Sequence, residues 1–372
     1  MNNPPKKLHS ITILRLLAAV PWLAPLSLQA QFECTTNQGA VTITKYTGSG
    51  GDLAIPSTIT GLPVTAIADW AFALCETVTS VSIPNTVSNI GMSVFSYCNG
   101  LTKVNIPAGV TYIGAGAFNS CMSLSAIDVD PSNPVYRSID GVLFDLSLTA
   151  LLQYPGGKVG NYTIPGTVKS LQAMAFAGSL RLTGITIPNS VMTIPDWAFD
   201  SCISLTAVKL PTDLTSIGYL AFYYSGLTNV VVPKGVTQVV DYAFAHCYSL
   251  SAVYFTGNAP TIGDNSFEND TAATLYYLPG NSGWSQISPG LPVVPWNPQM
   301  HTAAATLGPP ESPFAFTITG SSDIPIVVEA GDGLPGTAWV PLQSCTLTNG
   351  SLYFRDLNWM AYPARFYRIR SP

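Results

Sequence analysis

The sequence predicts a mostly β protein, in which stacked repeat coils form a solenoid with a parallel sheet and a small β-sandwich-like domain follows. Composition is the first observation, because the 372 residues are 47% hydrophobic and only 9% charged, with 31 glycines and 30 prolines. This mixture is typical of many short strands separated by turns. The second observation is a motif that recurs mostly every 22 or 23 residues, and the third is its alternation of apolar and polar residues.

The first thirty residues form a separate segment. Two lysines precede an apolar run from Ile11 to Leu28, and Leu28-Gln-Ala30 is a suitable cleavage site before Gln31. This arrangement predicts a signal peptide over residues 1–30 that is cleaved near Ala30. The alternative is a transmembrane anchor, which needs about 20 uninterrupted apolar residues, whereas two prolines interrupt this run.

The repeat has the pattern I-P-x-x-V-x-x-I-x-x-x-A-F-x-x-C-x-x-L-x-x-V-x. Its apolar-proline pairs end at Pro56, Pro84, Pro107, Pro165, Pro188, Pro211 and Pro233. The phenylalanine of the A-F step follows in register at Phe72, Phe95, Phe118, Phe176, Phe199, Phe222 and Phe244. A constant register predicts that the same local structure is built seven times.

Each repeat contains one short strand signal. In Lys103-Val104-Asn105-Ile106 the apolar residues alternate with polar ones, which predicts a strand buried on one side. The proline that follows has no N–H to donate to a neighbouring strand, so it ends the strand. One coil cannot bury these side chains alone, and stacked coils can, with strands about 4.8 Å apart in a parallel sheet.

The completed pattern I-P-x-x-V-x-x-I-G-x-x-A-F-x-x-C-x-x-L resembles the leucine-rich repeats of the BspA-like family of bacterial surface proteins. Phe95 with Cys98, Phe118 with Cys121, and Ile113-Gly-Ala-Gly-Ala-Phe118 match it closely. The resemblance covers about residues 40–298 and implies a leucine-rich-repeat solenoid over residues 31–298. It says little about function, because the family is defined by its scaffold.

One interval between repeats is 58 residues long, which leaves an insert at about residues 130–162. Asp140-Gly141 between two apolar runs is a strong hairpin signal. The sequence therefore predicts a modified coil that carries a protruding hairpin. The hairpin is interpreted either as a binding protrusion or as a tolerated surface insertion.

Five of the seven cysteines share one position, three residues after the repeat phenylalanine: Cys75, Cys98, Cys121, Cys202 and Cys247. Ser179 and Ser225 occupy the same position, so it is interpreted as a small buried turn position. Disulfide bonds between neighbouring coils stay possible on distance alone. Cys34 and Cys345 lie outside this position, and the sequence does not say whether they pair.

No catalytic, cofactor or metal constellation is predicted. His246 is the single histidine of the repeats, which leaves neither a zinc-binding cluster nor a nucleophile with an oriented base. Asp69, Asp196 and Asp241 recur near the A-F step and are interpreted as turn residues that cap local backbone N–H groups. The protein is therefore predicted not to be an enzyme.

Outward positions of successive strands form rows across a solenoid, and one row is the candidate binding face. This row contains Ser82, Asn105, Asp128, Thr186, Lys209, Val231 and Tyr254. Its small, mostly neutral residues suit a glycan or a flat protein surface, and equally suit simple solubility. Tyr254 and the pair Tyr223-Tyr224 are further candidates as exposed aromatic side chains, and the alternative is that they pack in the core or fill the turn.

The repeat pattern ends at Pro298, and residues 299–313 are predicted to be a linker rich in Ala, Thr and Pro. Five short strand signals follow in residues 314–372 and predict a β-sandwich-like module. Its ending, Arg365-Phe-Tyr-Arg-Ile-Arg370, resembles the last strand of C-terminal modules of exported bacterial proteins. This resemblance implies a role in surface sorting, and a structural cap is the alternative.

These observations predict a secreted or cell-surface protein, monomeric, that acts as a non-catalytic recognition or adhesion scaffold for a protein or polysaccharide. The alternatives are a structural envelope component without a soluble ligand and, third, a polysaccharide-active enzyme. The formal net charge is −5 and no basic stripe is present, so nucleic acid is not an expected partner. Membrane contact is expected only through the signal peptide or C-terminal sorting.

Overall fold

The computed structural model describes residues 31–287, 289–301, 314–322, 324–333 and 338–370. The predicted signal peptide and residues 302–313 of the predicted linker lie outside these ranges. The protein is mostly β, and about ten turns of a parallel-stacked solenoid precede antiparallel sheets at the C-terminal end. The predicted fold class is confirmed.

The solenoid strands are β1 (Phe32–Asn37), β2 (Ala40–Tyr46), β3 (Gly51–Ala54), β4 (Thr58–Ile59), β5 (Leu62–Ile67), β6 (Val78–Ser82), β7 (Asn89–Ile90), β8 (Lys103–Ile106), β9 (Tyr112–Ile113), β10 (Ala126–Val129), β11 (Tyr136–Ile139), β12 (Val142–Asp145), β13 (Ala150–Gln153), β14 (Gly160–Thr163), β15 (Ser170–Leu171), β16 (Leu182–Thr186), β17 (Thr193–Ile194), β18 (Ala207–Lys209), β19 (Ser216–Ile217), β20 (Asn229–Val232), β21 (Gln238–Val239), β22 (Ala252–Phe255), β23 (Thr261–Ile262), β24 (Thr274–Tyr277) and β25 (Val293–Pro295). The C-terminal strands are β26 (Gln299–His301), β27 (Phe314–Thr319), β28 (Pro325–Gly331), β29 (Val340–Thr346), β30 (Ser351–Asp356) and β31 (Phe366–Arg370). Short 3₁₀ turns span Trp284–Gln286, Thr348–Gly350 and Trp359–Ala361.

Two ladders of strands run along the solenoid. We call the first ladder the strand face, and its parallel sheets have the orders β3-β6-β8-β10, β14-β16-β18 and β20-β22-β24-β25. The second ladder contains mostly two-residue strands, in the orders β5-β7-β9 and β17-β19-β21-β23. Strands of the same ladder belong to successive coils, so each coil contributes one rung to each side.

Burial along the strands follows the predicted alternation. In β8, Val104 and Ile106 are buried while Lys103 and Asn105 are exposed, and Pro107 follows the strand. Period-2 alternation with one buried face fixes the register, because a shift by one residue would expose the apolar side chains.

Hydroxyl side chains link neighbouring coils by donating hydrogen bonds to backbone carbonyl groups. The Thr102 hydroxyl donates to the Thr79 carbonyl at 3.2 Å, and the Ser125 hydroxyl donates to the Thr102 carbonyl at 3.0 Å. Equivalent bonds recur in the later coils, for example from Thr206 to the Thr183 carbonyl. These bonds explain how a surface with few charged residues remains polar.

The repeat phenylalanines stack into an aromatic column through the core, which we call the aromatic spine. Ring centroids of consecutive members lie 4.9–5.4 Å apart, in two runs from Tyr46 to Phe118 and from Tyr154 to Phe267. Tyr46, Tyr154 and Phe267 thus extend the spine beyond the seven repeat phenylalanines. Hydrophobic burial and offset ring stacking both stabilise this column.

The insert forms the predicted hairpin, but the hairpin does not protrude. Strands β11 and β12 pair antiparallel around Asp140-Gly141, whose φ angles of 50° and 76° suit a type I′ turn. Val142, Leu143 and Phe144 are all completely buried. Leu143 packs with the preceding coils, whereas Val142 and Phe144 pack with the following ones. The expected protrusion is therefore wrong, because three consecutive apolar residues place the hairpin between two parts of the core.

The C-terminal strands form two three-stranded antiparallel sheets, in the orders β26-β27-β30 and β29-β28-β31. All five predicted strand signals are strands. The first strand, β26, lies inside the range predicted as linker, and its Met300 pairs with Ile318 of β27. Pairing within the C-terminal module therefore begins at Gln299.

The C-terminal module and the last coils of the solenoid share one hydrophobic cluster. Tyr254 and Tyr276 of the strand face pack with Phe316, Ile326 and other apolar side chains of the module. The Trp296 indole N–H donates to the Pro325 carbonyl at 2.9 Å. The module therefore closes one end of the strand face by packing against it.

Candidate functional site

Most of the predicted binding row lies on the solvent side of the strand face. Ser82, Asn105, Lys209 and Val231 are exposed, and Asp128 and Thr186 are half-buried. Lateral pairing aligns Asn105 with Asp128 and Thr186 with Lys209. Asp128 also forms an exposed ion pair with Lys103 at 2.6 Å, so the row presents a polar, nearly neutral surface.

The prediction for Tyr254 is wrong. Its side chain is only 5% exposed, because the C-terminal module covers it, and it stacks on Tyr276 with the ring centroids 5.1 Å apart. Tyr254 therefore joins the two parts of the protein and is not available to a ligand.

The row is also interrupted in its middle. The hairpin turn lies against β10, where the Ile127 N–H donates to the Gly141 carbonyl at 2.8 Å. The next rung is Thr163 of β14, which pairs with Thr186. Thr163 was missing from the predicted row, although it precedes an Ile-Pro pair and the sequence pattern could have placed it there.

The cysteine position is a buried turn position for four of the five predicted cysteines, whereas Cys75 is only half-buried. Cys98, Cys121, Cys202 and Cys247 are fully buried, and each thiol lies 3.0–3.2 Å from the carbonyl oxygen of the spine phenylalanine in the preceding coil. All seven cysteines are free thiols in this structure. Burial raises the pKa of the Cys98 and Cys247 thiols to about 12, so neither is a thiolate nucleophile at neutral pH.

The recurring aspartates cap backbone N–H groups, but those of the next coil. The Asp69 carboxylate accepts from the Met92 N–H at 2.7 Å, and Asp196 accepts from the Tyr219 N–H at 2.8 Å. A Cβ at Gly218 would lie 2.6 Å from the Asp196 Oδ1 atom. The glycine of the I-G step therefore makes room for the carboxylate of the preceding coil.

Two residues of each A-F turn have left-handed backbone, namely the second residue before and the second residue after the spine phenylalanine. The φ angles include 60° at Trp197, 55° at Tyr224, 59° at Tyr242 and 61° at His246. A left-handed conformation costs a non-glycine residue about 1 kcal/mol or more. Gly116 and Gly178 avoid this strain at equivalent positions, so the large rings occupy places that glycine would suit better.

These turns carry a group of seven aromatic side chains at the surface, four exposed and three half-buried, and we call this group the aromatic patch. It contains Trp197, Tyr219, Tyr223, Tyr224, Tyr242, His246 and Tyr248. Tyr248 is 61% exposed and Tyr224 is 39% exposed. The prediction of an exposed aromatic at Tyr224 is therefore correct, and it is part of a wider surface.

Two rows of rings make up the patch. In the first row, Trp197, Tyr219 and Tyr242 belong to three successive coils, and consecutive centroids are 5.9 Å apart in edge-to-face contact. In the second row, Tyr224 stacks on His246 at 4.9 Å and an angle of 6°. Tyr223 contacts both members of the second row.

Hydrogen bonds hold the second row in one arrangement. His246 Nδ1 lies 2.7 Å from the Tyr248 hydroxyl, and His246 Nε2 lies 3.2 Å from the Asn269 amide nitrogen. The Tyr224 and Tyr248 hydroxyls are 3.4 Å apart, and this hydrogen bond raises the pKa of Tyr248 to about 12. Rings held in this way lose little conformational freedom when a ligand binds.

Buried carboxyl groups lie beside the patch. Asp270 occupies the cysteine position of the Phe267 turn, is 2% exposed, and neither of its oxygens makes a hydrogen bond of good geometry. Burial raises its pKa to about 7. Asp200, which follows Phe199, has its pKa raised to about 6 by the same cause.

An open pocket of about 410 Å³ adjoins the patch at Asn269. Glu268, Asp270 and Leu291 also line it. Asn269 therefore connects the patch and the pocket, because its side chain contacts His246 and also lines the pocket.

Metal-binding and membrane-spanning features were also sought within the described ranges. There, no group of three or more His, Cys, Asp and Glu side chains is arranged to hold a metal ion. The same residues include no helix with the length and hydropathy of a membrane span.

Comparison with known proteins places the repeats in a family. Residues 52–148 and 154–274 match the model of the BspA type leucine rich repeat region, in six copies. No match was found among curated proteins.

Three solved structures of bacterial proteins are similar to this chain, and the first of them supports the fold. The pneumococcal vaccine antigen PcpA is 18% identical, with a TM-score of 0.53 over 72% of this chain and 96% of its own. A leucine-rich cell surface protein of Faecalibacterium prausnitzii is 24% identical, with a TM-score of 0.45 over 70% of this chain and 96% of its own. The T. pallidum leucine-rich repeat protein is 26% identical, with a TM-score of 0.37 over 59% of this chain and 88% of its own.

Proposed function

Because the chain belongs to the BspA-type leucine-rich repeat family, whose repeats cover more than half of it, we propose that it is an exported, non-catalytic recognition protein of the bacterial surface. Its ligand is an extracellular protein or polysaccharide. Export follows from the signal-peptide pattern of residues 1–30.

The aromatic patch is the observation that carries this proposal. Exposed aromatic side chains contribute much of the binding energy at recognition surfaces, and four exposed and three half-buried aromatic rings meet here on three successive coils. Trp197, Tyr224, Tyr242 and His246 have strained left-handed backbone, and Gly116 and Gly178 adopt the same backbone conformation without a ring. Retaining large rings there favours a role in binding over a role in folding.

The strand face is the weaker candidate for the same role. Its row is small and polar, is interrupted by the hairpin at β10, and is covered at Tyr254 by the C-terminal module. These features favour the aromatic patch as the main binding surface and the strand face as a supporting one.

Export is tested in the cell by fractionation and by N-terminal sequencing of the surface-exposed protein. We expect a mature N-terminus at Gln31, and protein retained inside the cell would contradict the proposal.

Binding is tested with the purified protein on immobilised extracellular-matrix proteins and glycans. Tyr248→Ala removes an exposed ring of the patch, and Tyr112→Ala, which removes an exposed tyrosine from an earlier coil, is the matched control. We expect Tyr248→Ala to weaken binding and Tyr112→Ala to leave it unchanged. A folded wild-type protein that binds neither class of ligand would instead favour the structural envelope role.

A further inference from the structure

We propose that the aromatic patch binds an uncharged polysaccharide chain, whose sugar rings lie on the aromatic side chains while its hydroxyl groups bond to their polar atoms. This inference rests on the proposed function and names the ligand of the same surface. Shape, chemistry, charge and the adjoining pocket each support it.

The shape of the patch suits a chain of several sugar units. The row of Trp197, Tyr219 and Tyr242 follows the solenoid axis over three successive coils, with 5.9 Å between neighbouring centroids. The second row, with Tyr224 and His246, covers two of the same coils. An elongated surface of this kind contacts consecutive units of a linear polymer rather than a single small molecule.

Every ring of the patch carries a polar atom. Five of the rings are phenols, one is an indole and one is an imidazole, and the phenols can both donate and accept hydrogen bonds. A wholly apolar ligand would remove water from these groups without replacing its hydrogen bonds, and that loss is costly. A sugar offers C–H groups to the parts of the rings that remain exposed and hydroxyl groups to the polar atoms, so it satisfies both.

Charge around the patch disfavours anionic ligands. Between Arg181 and Arg355 the sequence contains only two cationic side chains, Lys209 and Lys234. Lys209 lies on the strand face, and Lys234 follows strand β20. Asp200 and Glu268, by contrast, interact electrostatically with Tyr223 of the patch. Sulfated or uronic-acid chains would meet like charge here, whereas uncharged sugars would not.

The pocket beside Asn269 extends the surface. Its volume of about 410 Å³ lies within the usual range for small-ligand sites. Glu268 and Asn269 line it, and their side chains offer hydrogen-bond acceptors and a donor to sugar hydroxyl groups.

The experiment measures oligosaccharide binding to the purified protein by saturation-transfer NMR and calorimetry. The probes are linear hexasaccharides of glucose, mannose and xylose, with hexagalacturonate and a heparin hexasaccharide as anionic counterparts. We expect at least one uncharged hexasaccharide to bind and both anionic probes to bind at least tenfold more weakly. Tyr224→Ala and Tyr248→Ala should each weaken binding about tenfold, whereas Tyr112→Ala should change it less than twofold.

Three results would overturn the inference: no binding of any uncharged probe at millimolar concentration, preferred binding of an anionic probe, or sugar binding that survives both patch substitutions. The proposed function fails separately. If the patch substitutions abolish binding to a matrix protein while no sugar binds, the recognition role stands and the ligand assignment is wrong.

Discussion

The A-F turns have an inner set of side chains and an outer set that face opposite ways, and both sets are aromatic in the turns of the patch. The spine phenylalanine points inward and stacks on its neighbours at 4.9–5.4 Å. The residues two positions away, such as Tyr224 and His246, stand outside on left-handed backbone. The inner set has the same residue type in every repeat, whereas the outer set varies from glycine to tryptophan. The difference separates a requirement of packing from a surface that is free to specialise.

Removing a spine ring should have the largest effect. Phe222 is completely buried and stacks on both Phe199 and Phe244. We expect Phe222→Ala to lower the free energy of unfolding by about 4 kcal/mol, because it loses apolar burial and leaves a cavity. Chemical denaturation measures this loss. We expect Tyr224→Ala to lower the free energy of unfolding by less than about 1 kcal/mol. An equal loss in Phe222→Ala would contradict the distinction between the inner and outer sets.

Replacing Asp270 should stabilise the protein at neutral pH. Its folded pKa of about 7 exceeds the ordinary 3.8, so the folded state keeps a proton that the unfolded state releases. Stability is therefore lost as pH rises from about 4 through 7. We expect Asp270→Ser, which restores a residue found at this position in other repeats, to add on the order of 2 kcal/mol at pH 8.

The pH dependence provides the check on Asp270. Melting temperatures of the wild type and of Asp270→Ser should converge toward pH 4 and diverge above pH 6. Asp213→Ser, at an exposed carboxylate, is the matched control and should show no such divergence. Parallel curves for all three proteins would mean that Asp270 is not protonated in the folded state.

Filling the space of a turn glycine should have an intermediate effect. A Cβ at Gly218 would lie within 3 Å of the Asp196 N atom and the Ile194 carbonyl oxygen. We expect Gly218→Ala to cost about 1–3 kcal/mol, as overpacking does elsewhere. Gly166→Ala is the control, since nothing lies within 4 Å of its Cβ position. Equal stability of the two variants would show that the coils are not held at this spacing.

The smallest expected effect is the difference in stability between two replacements at one patch position. Tyr224 has a φ of 55°, which glycine adopts more easily than alanine. We expect Tyr224→Gly to be about 1 kcal/mol more stable than Tyr224→Ala in denaturant titrations, while both lose the ring. Alanine at least as stable as glycine would mean that the backbone strain at the patch is absent.

Much of the solenoid was predictable because its signals are local and repeated. The proline-ended strands, the cysteine position and the Asp140-Gly141 turn all follow from side-chain size or backbone preference within a few residues. Five of the six C-terminal strands were found in the same way. The burial of the hairpin was not predictable in this way, because the direction in which Leu143 and Phe144 point depends on coils that are distant in the sequence.

The site was predictable only in part. Tyr224 was a candidate, and aligning the repeats at the spine phenylalanine would have revealed aromatic residues around it in three consecutive turns. Asp270 could have been found by the same alignment, since it stands three residues after Phe267. The burial of Tyr254 could not have been predicted, because it results from the docking of the C-terminal module, which no local sequence pattern encodes.

The sequence by itself determined the repeat, its register and the inward side of each coil, since regular alternation of apolar and polar residues has one way to bury its apolar side. The tertiary structure alone decided which outward residues remain outside. Stacking brings residues 22 or 23 positions apart into contact and assembles the aromatic patch. Docking of the C-terminal module withdraws Tyr254 from solvent, because its apolar side chains cover that end of the strand face.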